Sequence, residues 1–280
     1  MGTAEHLEIL DREGRSLAAA AEAAGTDAKV PTCPGWQVRD LLRHTGAVHR
    51  WATAYVAERH TSARPIGEGP AELDGAELVA WYRESHRLLV ETLAAAPPDT
   101  DAWTFHPAPL PSPSPLAFWT RRQAHETAVH RYDAETARGG EPSPVGAEFA
   151  ADGIDELLRG FHARPRSRVR SAEPRMLRVR ATDTDAVWTV RLSAEPPSPR
   201  SGAPAPPTPN WPVRPGGCIW RCGTGCRCPR SRGTRHWPHC GGRPPPSSDA
   251  AAGRGRRTRP SGRGGRFISG RPMPSVRQHP

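Results

Sequence analysis

Lysine is almost absent from this chain: Lys29 stands alone against 38 arginines. With the abundance of alanine, glycine and proline, this implies a coding sequence of high GC content and says nothing of mechanism. Cysteine is scarce where a folded domain would need it. Five of the six cysteines lie at or beyond residue 218, so Cys33 alone serves the first part and no disulfide framework is expected there. No apolar run approaches the roughly 18–20 residues of a membrane span. The opening MGTAEHLEILDREG is acidic and amphipathic, unlike a secretory leader. Leu7 stands where a myristoylation signal would want Ser or Thr. A cytoplasmic location is expected.

Negative charge is missing from the end of the chain. Residues 196–280 hold 16 arginines and one acid, Asp249, a net +15, whereas residues 1–195 hold 23 basic and 28 acidic side chains, a net −5. The overall +10 therefore describes the tail alone, and the first part offers no electrostatic reason to bind nucleic acid. The tail also lacks leucine and carries 18 prolines and 14 glycines. Such a composition cannot bury a core and predicts disorder.

What is present is helical periodicity. Residues 4–24 carry Leu7, Leu10 and Leu17 among alanines of high helix propensity. PTCPGW (31–36) reads as a turn anchored by Trp36. A helix over about 37–58 turns Val38, Leu41 or Leu42, Val48 and Tyr55 inward, and another over about 73–95 does so with Leu78, Tyr82, Leu89 and Leu93. A proline-rich loop from 97 to 115 holds Trp103 and Phe105; loops of that length are often lids or binding loops. A fourth helix is predicted over about 116–138, closed by Gly139-Gly140, and a fifth over about 145–162 with Phe149, Leu157, Leu158 and Phe161. LRVRA (177–181) and AVWTVRLS (186–193) then alternate at period two, a β-hairpin. The predicted organisation is a helical domain over 1–165, the opening hairpin of a sheet-containing domain over 166–195, and a Pro/Gly/Arg-rich disordered tail over 196–280. The break after a competent hairpin suggests that the tail is read out of frame. Translation of the coding DNA in the other two frames would reveal a sheet-like continuation, or its absence would dismiss the idea.

The fourth helix carries the chemistry. Trp119, Gln123, Glu126, His130 and Ala134 form one stripe, inward-looking at both ends. A carboxylate and an imidazole in its middle are costly to bury without a partner, and a divalent metal is the simplest one. His44 shares the inward stripe of the second helix and is the candidate third ligand; His49, about 140° round that helix from it, is not. Two imidazoles and a carboxylate suit zinc at a catalytic site, without excluding iron, nickel or manganese. The competing reading is a surface pair Glu126/His130 and a satisfied core histidine at 44. His125, about 100° from Glu126, is read as a supporting or surface residue, and position 129 is valine, so no HExxH pair exists.

PTCPGWQVRDLLRHTGAVHRW (31–51), followed by RRQAHETAVHRYDAE (121–135), resembles the mycothiol-dependent maleylpyruvate isomerase family of DinB-like metal-binding four-helix bundles. The resemblance covers about 1–195. It implies a mainly α fold, a DinB-like four-helix bundle followed by the first hairpin of a truncated or frameshifted α/β domain. It also implies a divalent metal, usually zinc, on His44, Glu126 and His130, and mycothiol as a low-molecular-weight thiol partner. The implied activity is thiol-dependent isomerisation or S-transfer: a thiolate adds to an activated double bond, the bond rotates, and elimination leaves the trans isomer. A small-molecule substrate is the expected partner, with no membrane. Arg121 or Arg122 would hold a dicarboxylate substrate or else be solvated surface charges. Asp133, three residues past His130, would orient that histidine or face solvent. Cys33 at a helix entry is a candidate nucleophile, the simpler reading being a small residue that fixes the turn. The alternative function is a non-enzymatic metal- or small-molecule-binding bundle with a stress-response or regulatory role. Nucleic-acid binding by the basic tail ranks last. Cys218, Cys222, Cys226, Cys228, His236, His239 and Cys240 do not have the spacing of zinc-binding cysteine pairs.

Overall fold

Each helical stripe in the sequence becomes a helix of nearly the expected length. In the computed structural model, which describes residues 1–106, 114–201 and 210–213, α1 spans Thr3–Ala24, α2 Val38–Ala57, α3 Gly75–Ala95 and α4 Pro115–Arg138. Local chemistry sets the ends. Asp74 Oδ1 accepts the Gly75 N–H at 2.8 Å to start α3. Ser114 Oγ accepts the Ala117 N–H at 3.2 Å to start α4, with Pro115 at its first position. Gly139, at φ +89°, ends α4 in a conformation that disfavours side chains. Helices α1 and α2 each pack against both α3 and α4, as in a four-helix bundle.

The bundle has two apolar clusters. One gathers Leu10, Tyr55, Leu89, Leu93, Phe118 and Trp119; the other gathers Leu17, Leu41, Leu42, Leu78, Tyr82 and Ala134. Trp119 and Ala134, the two ends of the α4 stripe, belong to different clusters, so Glu126 and His130 sit between them. Trp103 and Phe105 pack into the first cluster, with Trp103 stacked on Tyr55 at 5.3 Å and its carbonyl accepting the Trp119 indole N–H at 3.0 Å. The start of the proline-rich loop is thus pinned in the core. Its tip, residues 107–113, lies outside the described residues, and with it the expectation of a lid.

The fifth helix differs from expectation in its second half. α5 is α-helical over Ala147–Asp155 and continues as a π-helical stretch over Glu156–Phe161. One face of α5 rests on a four-stranded sheet through Ile154, Leu158, Trp188, Val190 and Leu192. The expected hairpin is present: β1 (Arg175–Ala181) pairs antiparallel with β2 (Val187–Leu192). The sheet then runs past the boundary expected at 195. β3 (Ser198–Ser201) pairs with β2, and β4 (Asn210–Val213) lies parallel to β1, giving the order β3-β2-β1-β4. Composition hid these strands because edge strands are held by ladder hydrogen bonds and tolerate the proline that each contains. The remainder of the expected disordered tail, including the candidate cysteines and all of the second unit Arg235–Pro280, lies outside the described residues. Among the described residues no helix is long and apolar enough to cross a membrane.

Candidate metal centre

Helix α4 is buried on nearly every side although much of it is polar: Arg121, Arg122, Gln123, His125, His130, Arg131, Asp133 and Glu135 are all buried. Charges in such a place must be paired, and each arginine is. Arg131, 1 % exposed, donates from Nε to Glu13 on α1 and from Nη1 to Glu135, both at 2.7 Å. Arg121 donates to Asp152 Oδ2 at 2.8 Å, and Arg122 bridges Glu126 and Glu156. The expectation that Arg121 or Arg122 is a solvated charge or a ready-made substrate clamp is therefore corrected. Both guanidiniums are committed to carboxylates, and sequence reading missed this because α5 supplies most of the partners.

The three sequence-predicted ligands come together. His44 Nε2 from α2 lies 3.4 Å from Glu126 Oε1, and His130 Nε2 lies 3.2 Å from the same oxygen. One ligand atom from each of the three falls within 4.8 Å of the others. Zinc bonds of about 2.0–2.1 Å at the tetrahedral angle separate neighbouring ligand atoms by about 3.3 Å, so both spacings to Oε1 suit a shared ion. The far nitrogen of His130, Nδ1, donates to Asp133 Oδ2 at 2.9 Å. That bond fixes the ring and presents Nε2 to the site. Asp133 is buried, so of its two readings the orienting one holds.

Electrostatics favour a cation here. Burial would raise the Glu126 pKa, but hydrogen bonds from His130 and His44 and the Arg122 charge hold it well below the carboxylate norm. Burial would lower the His130 pKa, yet hydrogen bonds to Asp133 and Glu126 push it up to about 9. The two carboxylates favour positive charge at this imidazole, and a metal ion on Nε2 would have to displace the proton held there.

The PTCPGW turn builds one wall. The Trp36 N–H donates to the Cys33 carbonyl at 3.0 Å, with proline and then Gly35 at φ +91° between them. This is the turn in which proline leads and only glycine follows without strain. It delivers the Trp36 ring to 5.2 Å from His44 and, stacked, 6.4 Å from His130. Trp36 is thus part of the site's lining as well as a wedge. Cys33 Sγ donates to Asp133 Oδ2 at 3.6 Å, which ties the turn to the carboxylate behind His130.

His49 and His125 lie elsewhere. His49, fully buried, meets Thr127 Oγ1 at 2.9 Å, in keeping with its angle from His44. His125 is neither surface nor supporting: it joins a second cluster on another face of α4. There His125 Nε2 and His6 Nε2 approach Asp152 Oδ2 at 2.8 and 3.0 Å. Sequence reading missed this group because His6 and Asp152 are 146 residues apart on helices with no motif in common.

No curated protein and no solved structure matches the chain. Residues 7–135, from the second turn of α1 to the last turn of α4, match the mycothiol maleylpyruvate isomerase N-terminal domain, a likeness that supports the family suggested by the two motifs.

Proposed function

We propose that the helical domain is a zinc-dependent, mycothiol-dependent isomerase or S-transferase of the maleylpyruvate isomerase type, acting in the cytoplasm, with His44, Glu126 and His130 as its metal ligands. The observation that carries this is the convergence of His44 Nε2 and His130 Nε2 on a single oxygen of Glu126, inside a segment of matching family. When bound, the ion supplies the Lewis acidity that brings a thiol to its thiolate at neutral pH, and the thiol supplies a nucleophile that adds to an activated double bond, permits rotation and leaves again. The chain's own residues hold the geometry. Asp133 keeps Nδ1 of His130 protonated, so that Nε2 is its ligating atom. Trp36 forms an apolar wall beside His44 and His130. No protein thiol is required.

Metal content and turnover test the reading. Purified chain should carry about one zinc, and His44→Ala, Glu126→Ala and His130→Ala should each lose it while retaining the helical circular dichroism signal. Zinc retained at full stoichiometry in all three variants refutes the assignment. Maleylpyruvate should isomerise only when mycothiol is added. A second reading is a metal-binding bundle without catalysis, resting on the same three ligand atoms. Stoichiometric zinc with no thiol-dependent turnover selects that reading.

A further inference from the structure

Arg122 holds Glu126 by the oxygen that the histidines do not use. Its Nη2 donates to Glu126 Oε2 at 3.0 Å, while both imidazoles face Oε1. The guanidinium is itself gripped from two sides. Nη1 donates to Glu156 Oε2, and the guanidinium carbon lies 5.0 Å above the Phe161 ring. Arg122 and Glu156 are 8 % and 3 % exposed, so this is a buried, built arrangement.

The π-helical stretch explains how one short segment supplies both grips. Residues five apart lie about 140° round an α-helix but on one face, about 50° apart, where hydrogen bonds run from i to i+5. Glu156 and Phe161 are five apart, and the His162 N–H donates to the Leu157 carbonyl at 2.9 Å in that i to i+5 pattern. The widened turn brings a carboxylate to the edge of the guanidinium and a ring to its face. Both residues lie beyond the family-matched 7–135.

We propose that Arg122, anchored by Glu156 and Phe161, is a positioning residue that occupies Oε2 of Glu126 and so restricts this ligand to one oxygen, leaving a coordination position open for the thiol. This rests on the proposed metal reading. A carboxylate released from the arginine would turn to chelate through both oxygens and fill that position.

The test compares full-length chain with Arg122→Met, Arg122→Lys and Glu156→Gln, each loaded with zinc and, separately, with cobalt(II). Zinc affinity is measured by chelator competition and coordination number from the cobalt visible spectrum. Arg122→Met should show the weaker visible absorption of a five-coordinate ion, and should bind zinc at least as tightly as wild type, because the carboxylate gains a second bond and the site loses a neighbouring cation. Arg122→Lys should rescue only partly, since one ammonium cannot span two carboxylates as a planar fork does. Glu156→Gln, which keeps the side-chain shape and one acceptor oxygen, should move in the same direction by less. It also provides the readout if Arg122→Met does not fold. If Arg122→Met or Glu156→Gln folds with an unchanged cobalt spectrum, Arg122 is structural only and the inference is overturned. Wild-type chain that binds no zinc overturns the metal reading together with this one.

Discussion

Two groups on α4 are each made of two histidines and a carboxylate, and they differ in which carboxylate oxygen the neighbouring arginine takes. In the first, the imidazole nitrogens stand 3.4 and 3.2 Å from Glu126 Oε1, and Arg122 takes the other oxygen. In the second, the nitrogens stand 3.0 and 2.8 Å from Asp152 Oδ2, and Arg121 donates to that same oxygen at 2.8 Å. The shorter spacings are those of N–H donors to a carboxylate. Among the described residues both groups bring three potential ligand atoms within 4.8 Å, but in the second the guanidinium occupies the same oxygen that the imidazoles face. The His6–His125–Asp152 group ties α1 and α4 to α5. His125 stacks on Phe149 at 4.3 Å, and Asp155, 3.3 Å from Arg121, also accepts the Trp188 indole N–H at 3.0 Å from the sheet. What distinguishes a candidate metal site from a structural ion pair is which carboxylate oxygen the arginine occupies.

The sharpest test of this contrast is a double dissociation in zinc content. Glu126→Ala should abolish zinc binding, whereas His125→Ala, its immediate neighbour, should retain full stoichiometry by atomic absorption. Loss of zinc from both, or a second equivalent of zinc removed only by His125→Ala, would break the comparison. Stability should show the reverse pattern. Arg121→Met leaves the part-buried Asp152 without its cation and should cost about 1–3 kcal/mol in urea unfolding, again with zinc stoichiometry intact. A cost within about 0.5 kcal/mol, the range of ordinary surface substitutions, would mean that the group carries no load.

A smaller effect is expected at the orienting carboxylate. Asp133→Ala removes the partner of His130 Nδ1 and should weaken zinc binding about 10–100-fold without abolishing it. Equal affinity in a chelator titration would show that Trp36 packing alone holds the ring. The last difference is in acid. Burial would raise the Asp152 pKa, but hydrogen bonds from His125 and His6 and the Arg121 guanidinium hold it far below the usual value. A depressed carboxyl contributes stability that is complete above its unfolded pKa, about 3.9, and is lost as pH falls toward the folded value. Wild-type stability should therefore drop more steeply below about pH 4 than that of Asp152→Asn. Parallel slopes would argue that Asp152 is protonated alike in both states.

The amphipathic stripes made the bundle readable. Leu41, Val48 and Tyr55 on α2 and Leu78, Tyr82 and Leu89 on α3 are buried as their spacing requires, because helical period alone decides which side chains share a face. The hairpin was equally legible from alternation. Of the candidate site, His44, Glu126 and His130 could be placed on inward faces, and the paired motifs suggested that they meet. The burial of Arg121 and Arg122 was not legible. A stripe states that a residue looks inward without saying what stands opposite, and here the answer comes from Asp152 and Glu156 on a helix with its own pattern. The edge strands β3 and β4 were hidden for a related reason: their pairing is a backbone property that composition does not report.

The sequence by itself determined the helices, their inward faces and the three ligand types, since these follow from periodicity and side-chain chemistry within one segment. Only the tertiary structure decided that Arg122 takes Glu126 Oε2 while Arg121 shares Asp152 Oδ2 with two histidines. That choice depends on the relative placement of α1, α4 and α5 to within an ångström, because hydrogen-bonding and metal-ligand spacings differ by only a few tenths of one.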